Sequence, residues 1–373
     1  MRVLITGGAG FIGSHTADAL LADGCQVRVL DSLEPPVHER RVPPSYLDTR
    51  IEFLLGDVRD ESVLLEAMRG CDVVYHLAAF QDYLPYFSRY FDVNVTSTAL
   101  LYELIEREKL PVRKVIVASS QATLGEGLYH DADGRAVLPD IRSNSQLTQG
   151  QWEIQAPAGF RDPLQWQPTS EDVGNPKNPY GMSKIAAENI AMNLGRRYEI
   201  PSVALRYSIV QGPRQSFLNA YSGACRVFCL SFHEGIEPPI YEDGQQIRDF
   251  INIHDAVDAN MLVLHDDRAD YEVFNVGGGQ PITVLEFAKI VADVYERTAY
   301  QAIPSGKYRV GDTRHICSDI TKLQSLGWTP TRNAYQSVEA YRAWLDEADS
   351  FAEVLMQCNR QMAELDVVRE LAQ

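Results

Sequence analysis

Val3-Leu4-Ile5-Thr6-Gly7-Gly8-Ala9-Gly10-Phe11-Ile12-Gly13 holds a short apolar run, a turn with glycines at 7, 10 and 13, and the start of a second periodic run. A strand that ends in such a turn and enters a helix directs backbone N–H groups and a helix N-terminus at a pyrophosphate. A Cβ at these positions would collide with the turn, the phosphates or the strand beneath. The next strand-like run, Val27-Arg28-Val29-Leu30, ends in Asp31. An acidic residue there, about twenty positions past the glycines, suits the hydroxyl pair of a ribose. Its carboxylate repels a 2′-phosphate, so NAD is favoured over NADP. Gly7, Gly10, Phe11, Ile12, Gly13 and Asp31 are the first cofactor-binding candidates.

The rest of the chain fits that start. Its 373 residues are 45% hydrophobic and 23% charged, enough for one large α/β domain plus a smaller lobe. A net charge of −17 leaves no basic face for nucleic acid. A phosphorylated small ligand remains compatible, since it needs only a few local arginines. There is no window of eighteen apolar residues, so no membrane span is expected. The first strand begins at residue 2, which leaves no room for a signal peptide, and a cytoplasmic location is expected. The cysteines at 25, 71, 225, 229, 317 and 358 are scattered; they read as buried thiols in a reducing compartment, with no metal site.

Strand-length apolar runs near 2–6, 26–31, 51–55, 72–76, 113–118 and 201–206 alternate with helical patterns near 11–23, 61–69, 87–109 and 180–198. Such alternation predicts a Rossmann-type, doubly wound parallel sheet in an α/β fold. Residues 1–206 form the expected nucleotide-binding domain. Segment 125–178 breaks the rhythm, rich in Gly, Pro, Asp and Gln, and reads as an insertion over the active-site rim. Residues 207–335 are expected to form a smaller C-terminal substrate lobe, partly interleaved with the sheet. The acidic stretch 336–373 reads as a helical tail.

Tyr180-Gly181-Met182-Ser183-Lys184 carries the chemistry. At the start of a helix, Tyr180 and Lys184 at i and i+4 share one face. An ammonium near a phenol lowers the phenol pKa and makes a base for a sugar hydroxyl. Val117-Ala118-Ser119-Ser120 is a strand ending in two hydroxyls, at the sheet edge where ligands bind in open α/β folds. A serine there assists the tyrosine.

These pieces together resemble the extended short-chain dehydrogenases/reductases, in particular the NAD-dependent sugar epimerase/dehydratase group. The matching residues are Thr6–Gly13, Asp31, Gly56-Asp57-Val58, His76-Leu77-Ala78-Ala79, Asn94, Ser119-Ser120, Tyr180–Lys184, Leu205-Arg206-Tyr207, Gly212-Pro213-Arg214 and Arg248-Asp249-Phe250. The resemblance runs from residue 2 to about 330. It implies that Asp57 and Val58 meet adenine, that Leu77, Ala78, Ala79, Asn94 and Ser119 line the cofactor, and that Lys184 holds the nicotinamide ribose. It also implies that Ser120, Tyr180 and Lys184 are the catalytic set. His76 reads as a structural histidine.

Dehydratases of the group carry an Asp-Glu pair after the catalytic hydroxyl; this chain has Gln121 and Ala122. The implied activity is therefore a 4-epimerase acting on a nucleotide-diphosphate sugar. Gly212–Ser216, Pro239–Gly244 and Tyr308–His315 resemble the subgroup acting on dTDP-L-rhamnose. That subgroup commonly has cysteine pairs in the insertion; here no cysteine lies between 71 and 225, so Trp152, Trp166, prolines and polar contacts must hold it. Ile209 replaces a usual Asn, and Phe80–Phe87 is unusually aromatic.

Arg214, Arg248, Arg309 and Arg314 are diphosphate candidates, because a guanidinium grips a diphosphate bidentately. With Gln81, Gln121 and Ser208 they form the expected substrate-binding set. A homodimer built on a four-helix bundle of 87–109 and 180–198 is implied by the resemblance alone. Competing readings are a reductase, dehydrogenase or decarboxylase on the same scaffold, and a catalytically silent NAD-binding sensor.

Overall fold

The computed structural model describes residues 1–82, 85–219, 223–297, 299–347, 356, 360, 364 and 366–371. Tyr83 and Leu84 of the aromatic segment, and most of the helical tail expected beyond 347, lie outside those residues.

The chain starts β1 (Arg2–Thr6), α1 (Phe11–Ala22), β2 (Gln26–Asp31), β3 (Glu52–Leu55), α2 (Glu61–Met68) and β4 (Val73–His76). Next come α3 (Phe87–Phe91), a π-turn over Asp92–Thr96, α4 (Ser97–Arg107) and β5 (Lys114–Ser120). The helix read over 87–109 thus carries one extra residue in its middle turn, a feature common at functional sites. The insertion supplies β6 (Leu128–His130), β7 (Ala136–Val137), α5 (Asn144–Thr148) and β8 (Gln165–Gln167). It is an antiparallel sheet, with β6 between β7 and β8, over a small core of Tyr129, Val137 and Ile154. Trp166 packs on that core, and Trp152 lies 6.0 Å from the Tyr308 ring.

Then follow α6 (Pro179–Arg197), β9 (Ser202–Tyr207), β10 (Ile209–Gln211), α7 (Gly223–His233), β11 (Ile247–Arg248), β12 (Phe250–Asn252), α8 (Ile253–His265) and β13 (Glu272–Val276). The chain ends with β14 (Ile282–Thr283), α9 (Val284–Val294), β15 (Lys307–Arg309), α10 (Thr321–Gln324), α11 (Ala334–Leu345) and β16 (Val368–Glu370).

Seven parallel strands form the main sheet in the order β13-β9-β5-β4-β1-β2-β3. Both faces are covered, which is why Val3-Leu4-Ile5 and Val115-Ile116-Val117 read as unbroken apolar runs with 0–2% exposure. After β3 the chain crosses back to β4 on the other side of β1, and that reversal leaves a crevice at the carboxyl ends of β1 and β4.

The smaller lobe has its own core, from Phe228, Phe250, Phe287, Val291, Val338 and Tyr341. It is interleaved with the sheet, since β13 joins β9 and Trp328 returns to the main core. Of the stretch 336–373 read as helical, α11 runs to Leu345 and residues 356, 360 and 364 are helical, while Val368–Glu370 is a strand paired with β15. A three-residue strand has no detectable period, so the pattern of the preceding residues hid it.

Candidate active site

A cavity of about 730 Å³ runs from the crevice beside β1 to the smaller lobe. Its first half is made by the glycine turn. Gly7 has φ +69°, and a Cβ there would sit 2.7 Å from the Ala78 nitrogen. A Cβ at Gly13 would lie 2.4 Å from the Gly7 carbonyl oxygen, so α1 packs down onto the turn only as glycine allows. Gly10 caps α1 with no side chain, leaving the helix N-terminus open to the cavity. Asp31 holds its own loop by accepting the Ala9 N–H at 3.0 Å and the Leu33 N–H at 2.9 Å.

Phe11, Ile12, Asp57, Val58, Leu77, Ala78, Ala79 and Ser119 also line this half. The Asp57 carboxylate is gripped by Arg59, at 2.6 Å to one oxygen, which keeps it ionised below the usual carboxylate range. Asn94 is the exception. It does not reach the cavity but sits in the π-turn at 2% exposure, bonding the Phe80 N–H at 2.7 Å and Ser183 Oγ at 2.9 Å. It joins the loop after β4 to α6, a positioning role rather than the cofactor contact expected. His76 is structural as read, between Thr6 at 2.9 Å and Ser97 at 3.0 Å, with burial pulling its pKa down to about 3.

The two serines at the end of β5 separate cleanly. Ser119 Oγ donates to Glu188 at 2.8 Å, and Glu188 pairs with Arg206 at 2.6 Å, so that hydroxyl is committed. Ser120 Oγ accepts the Ala122 N–H at 3.1 Å and hydrogen-bonds the Tyr180 phenol. Asn178 caps α6 by accepting the Gly181 N–H at 2.8 Å, and Pro179 opens it, which sets Tyr180 in the first turn facing the cavity.

Lys184, one turn on, donates to the Ala118 carbonyl at 2.9 Å, with its Nζ 5.8 Å from the Tyr180 ring. The expected lowering of the phenol pKa is not what this geometry gives. Burial pushes Tyr180 up to about 12, opposed only by the Ser120 hydrogen bond, and pulls Lys184 down to about 8. Desolvation disfavours both charged forms and is the largest cause at each group.

The second half of the cavity sorts the expected substrate residues. Gln81, Gln121, Ser208, Arg248 and Arg309 line it. Gln121 Oε1 is buried and has no hydrogen-bond partner among the described residues. Ser208 Oγ is 2.7 Å from Asp249 and 2.8 Å from Ser318, so it serves the loop first. Arg248 donates to the Ile247 and Arg314 carbonyls at 2.9 and 3.1 Å. Arg309 lies over the Tyr241 ring at 5.0 Å.

Two arginines are elsewhere. Arg314 is fully buried, and its guanidinium is taken by Glu153, by Glu242 at 3.0 Å and by Asp243 at 2.7 Å. It has no donor left for a diphosphate. Arg214 pairs with Asp18 at 2.8 Å and stacks on Tyr46, outside the cavity lining.

Several lining residues escaped the sequence reading, Glu126 and Lys177 among them. Glu126 is 2% exposed, accepts the Arg314 N–H at 2.8 Å and is pushed up to about 7 by burial. Lys177 faces the cavity and pairs with Asp140 at 3.1 Å. Both lie in the insertion, where no periodicity marks an inward face. Among the described residues no group of three or more His, Cys, Asp or Glu side chains could hold a metal ion. The glycine cradle, the open helix N-terminus and Asp31 fit a dinucleotide.

Known proteins match this architecture. A model of the NAD dependent epimerase/dehydratase family covers residues 3–145 and 156–277. The chain is 32% identical over 353 residues to a dTDP-L-rhamnose 4-epimerase of Burkholderia thailandensis, covering 92% of this chain and 94% of that one. The structure of UDP-glucose 4-epimerase from Thermotoga maritima with UDP-glucose superposes with a TM-score of 0.74 at 26% identity, over 93% of this chain and 99% of that one. UDP-glucuronic acid 4-epimerase from Bacillus cereus, in complex with UDP-glucuronic acid and NAD, gives 0.72 at 25% identity, over 93% and 99%. The chain belongs to the NAD dependent epimerase/dehydratase family.

Proposed function

We propose that this chain is an NAD-dependent nucleotide-sugar 4-epimerase acting on a dTDP- or UDP-(deoxy)hexose. The carrying observation is Ser120 hydrogen-bonded to Tyr180, with Lys184 one turn on, in a wall shared by the glycine half and the arginine half of one cavity. In this reading Gly7, Gly10, Phe11, Ile12, Gly13, Asp31, Asp57, Val58, Leu77, Ala78, Ala79, Ser119 and Lys184 hold the cofactor. Bound there, NAD supplies a reversible acceptor for the hydride at sugar C4.

The protein handles the proton. Acting as the phenolate, Tyr180 Oη takes it from the sugar 4-hydroxyl and returns it to the oxygen of the inverted centre, so the phenol must first lose its own proton against the burial that raises its pKa. Ser120 orients that hydroxyl. Lys184, still cationic at neutral pH with its pKa near 8, favours the phenolate when the proton leaves. Arg248 and Arg309 grip the diphosphate and anchor the nucleotide while the sugar turns. Gln121 and Ala122 offer no carboxyl group to expel water from the sugar, which favours epimerisation over dehydration.

The finer placement follows from the same features. Phe91 and Met182, 40% and 44% exposed on α3 and α6, support a homodimer through the helices of 87–109 and 180–198. The five cysteines among the described residues are buried free thiols, which suits a reducing cytoplasm. The test is incubation with dTDP-, UDP- and GDP-hexoses, then chromatography of the sugars. A C4 epimer formed without added cofactor supports the reading; no conversion of any member overturns it.

A further inference from the structure

Strand β15 has one partner in its two-stranded sheet, and that partner is the end of the chain. Lys307 pairs with Glu370, Tyr308 with Arg369 and Arg309 with Val368. The Leu371 N–H adds a bond to the Gly306 carbonyl at 3.0 Å. Arg309, at the end of β15, enters the cavity.

The same two strands hold the insertion. Tyr308 Oη is 3.0 Å from Thr148 Oγ1, and its ring packs beside Trp152. Arg369 donates to Asn144 Oδ1 at 2.8 Å. Leu371 lies over Gly150, where a Cβ would meet its Cδ2 at 3.7 Å. One face of the C-terminal strand thus touches the insertion, while its backbone braces the strand that carries Arg309. β15 is also tied to the smaller lobe, where the Glu242 N–H donates to the Lys307 carbonyl at 2.7 Å, but a three-residue strand has little stability of its own and the chain's end supplies its ladder partner.

We propose that the C-terminal strand, Val368–Glu370, is a positioning element for substrate: it sets Arg309 and clasps residues 144–152 against the same strand. It acts through Arg309, and the inference rests on the reading of Arg309 as a diphosphate ligand. The glycine half of the cavity lies outside its reach, so cofactor retention does not depend on it.

The test compares the full chain with one ending at Val367, with Arg369→Pro, which removes a strand N–H, and with Arg369→Ala, which keeps the backbone. UDP and dTDP are titrated by calorimetry, KM and kcat are measured on the converted sugar, bound NAD is quantified, and hydrogen exchange is followed at 144–152 and 306–309. Truncation and Arg369→Pro are expected to raise Kd and KM about tenfold or more, the loss of one charge-assisted contact. kcat and NAD content stay near the full-chain values, exchange accelerates in both segments, and Arg369→Ala changes Kd far less. Unchanged Kd and unchanged exchange in the truncated chain overturn the proposal, and a fall in kcat or NAD content with KM constant also overturns it. If the full chain binds neither UDP nor dTDP, the reading of Arg309 falls; the exchange data still decide the clasp, faster exchange supporting it and unchanged exchange refuting it.

Discussion

Arg142 grips Glu242 with both terminal nitrogens, at 2.7 and 2.8 Å, and so ties the insertion to the smaller lobe. Both side chains are 2% exposed. Around them Arg314 bridges Glu242, Asp243 and Glu153, and His315 adds a contact to Glu153 at 3.1 Å. The insertion is therefore held by buried charge pairs and a small aromatic core. Replacing Arg142 by Met leaves Glu242 short of a partner in a dry site. The expected loss is about 3 kcal/mol, typical of breaking a buried pair from one side. A urea titration measures it; a midpoint unchanged within error would show that Arg314 alone satisfies Glu242.

Arg248 and Arg314 are expected to fail differently. Arg314→Ala removes a fully buried cation from three carboxylates and should unfold the lobe–insertion junction. Arg248→Ala should leave the unfolding midpoint near that of the parent while weakening UDP or dTDP binding about tenfold, as for one lost charged hydrogen bond. Calorimetric binding beside thermal melting separates them.

Tyr180→Phe keeps the ring against Phe80 and Tyr90 and removes only the phenol oxygen. kcat should drop about 10²–10⁴-fold, the usual worth of a general acid–base group, with NAD content unchanged. Activity within tenfold of the parent would remove Tyr180 from the proton path.

Gly7→Ala asks a left-handed residue to carry a Cβ 2.7 Å from the Ala78 nitrogen. The backbone conformation alone costs about 1–2 kcal/mol, and the clash pushes the β1 turn off the end of β4. The variant should purify with little or no NAD and melt lower. A variant that keeps stoichiometric NAD would show that the turn yields without harm to the cradle.

Glu126 links stability to pH. Its folded-state pKa is near 7 against an ordinary value of 4.5, because burial disfavours the carboxylate. Between those values the folded state binds more protons than the unfolded one, so this group lowers stability as pH rises from about 4.5 to 7. Glu126→Gln removes that slope, and its stability relative to the parent should increase across the window. Urea midpoints at pH 5 and pH 7 read it directly; a constant difference between the two proteins would place the Glu126 pKa near its ordinary value.

Local signals carried much of this protein. The spacing of Gly7, Gly10 and Gly13, the acid at Asp31, the helix start at Tyr180 and the hydroxyl ending β5 are each short-range patterns. Apolar runs buried on both faces announced the parallel sheet, because covering helices leave no polar face to the strands. The structure places the glycine turn, Asp31, Ser120, Tyr180 and Lys184 on one cavity.

Tertiary structure alone decided the fate of the charges. Arg309 and Arg314 stand five residues apart in one segment, yet one enters the cavity and the other is buried among carboxylates from residues 153, 242 and 243. Asn94 was a plausible ligand by position and became a bracket between Phe80 and Ser183. Glu126 gained a raised pKa from burial that its neighbours in sequence do not reveal. The strand at 368–370 exists only because β15 offers it an edge. Backbone turns and periodic burial are set by residues a few positions apart, so a sequence determines them by itself. A side chain's partner, its solvent and therefore its charge are set by residues far away in sequence, 71 positions for Asp243 and 161 for Glu153 around Arg314, and only the folded chain brings those together.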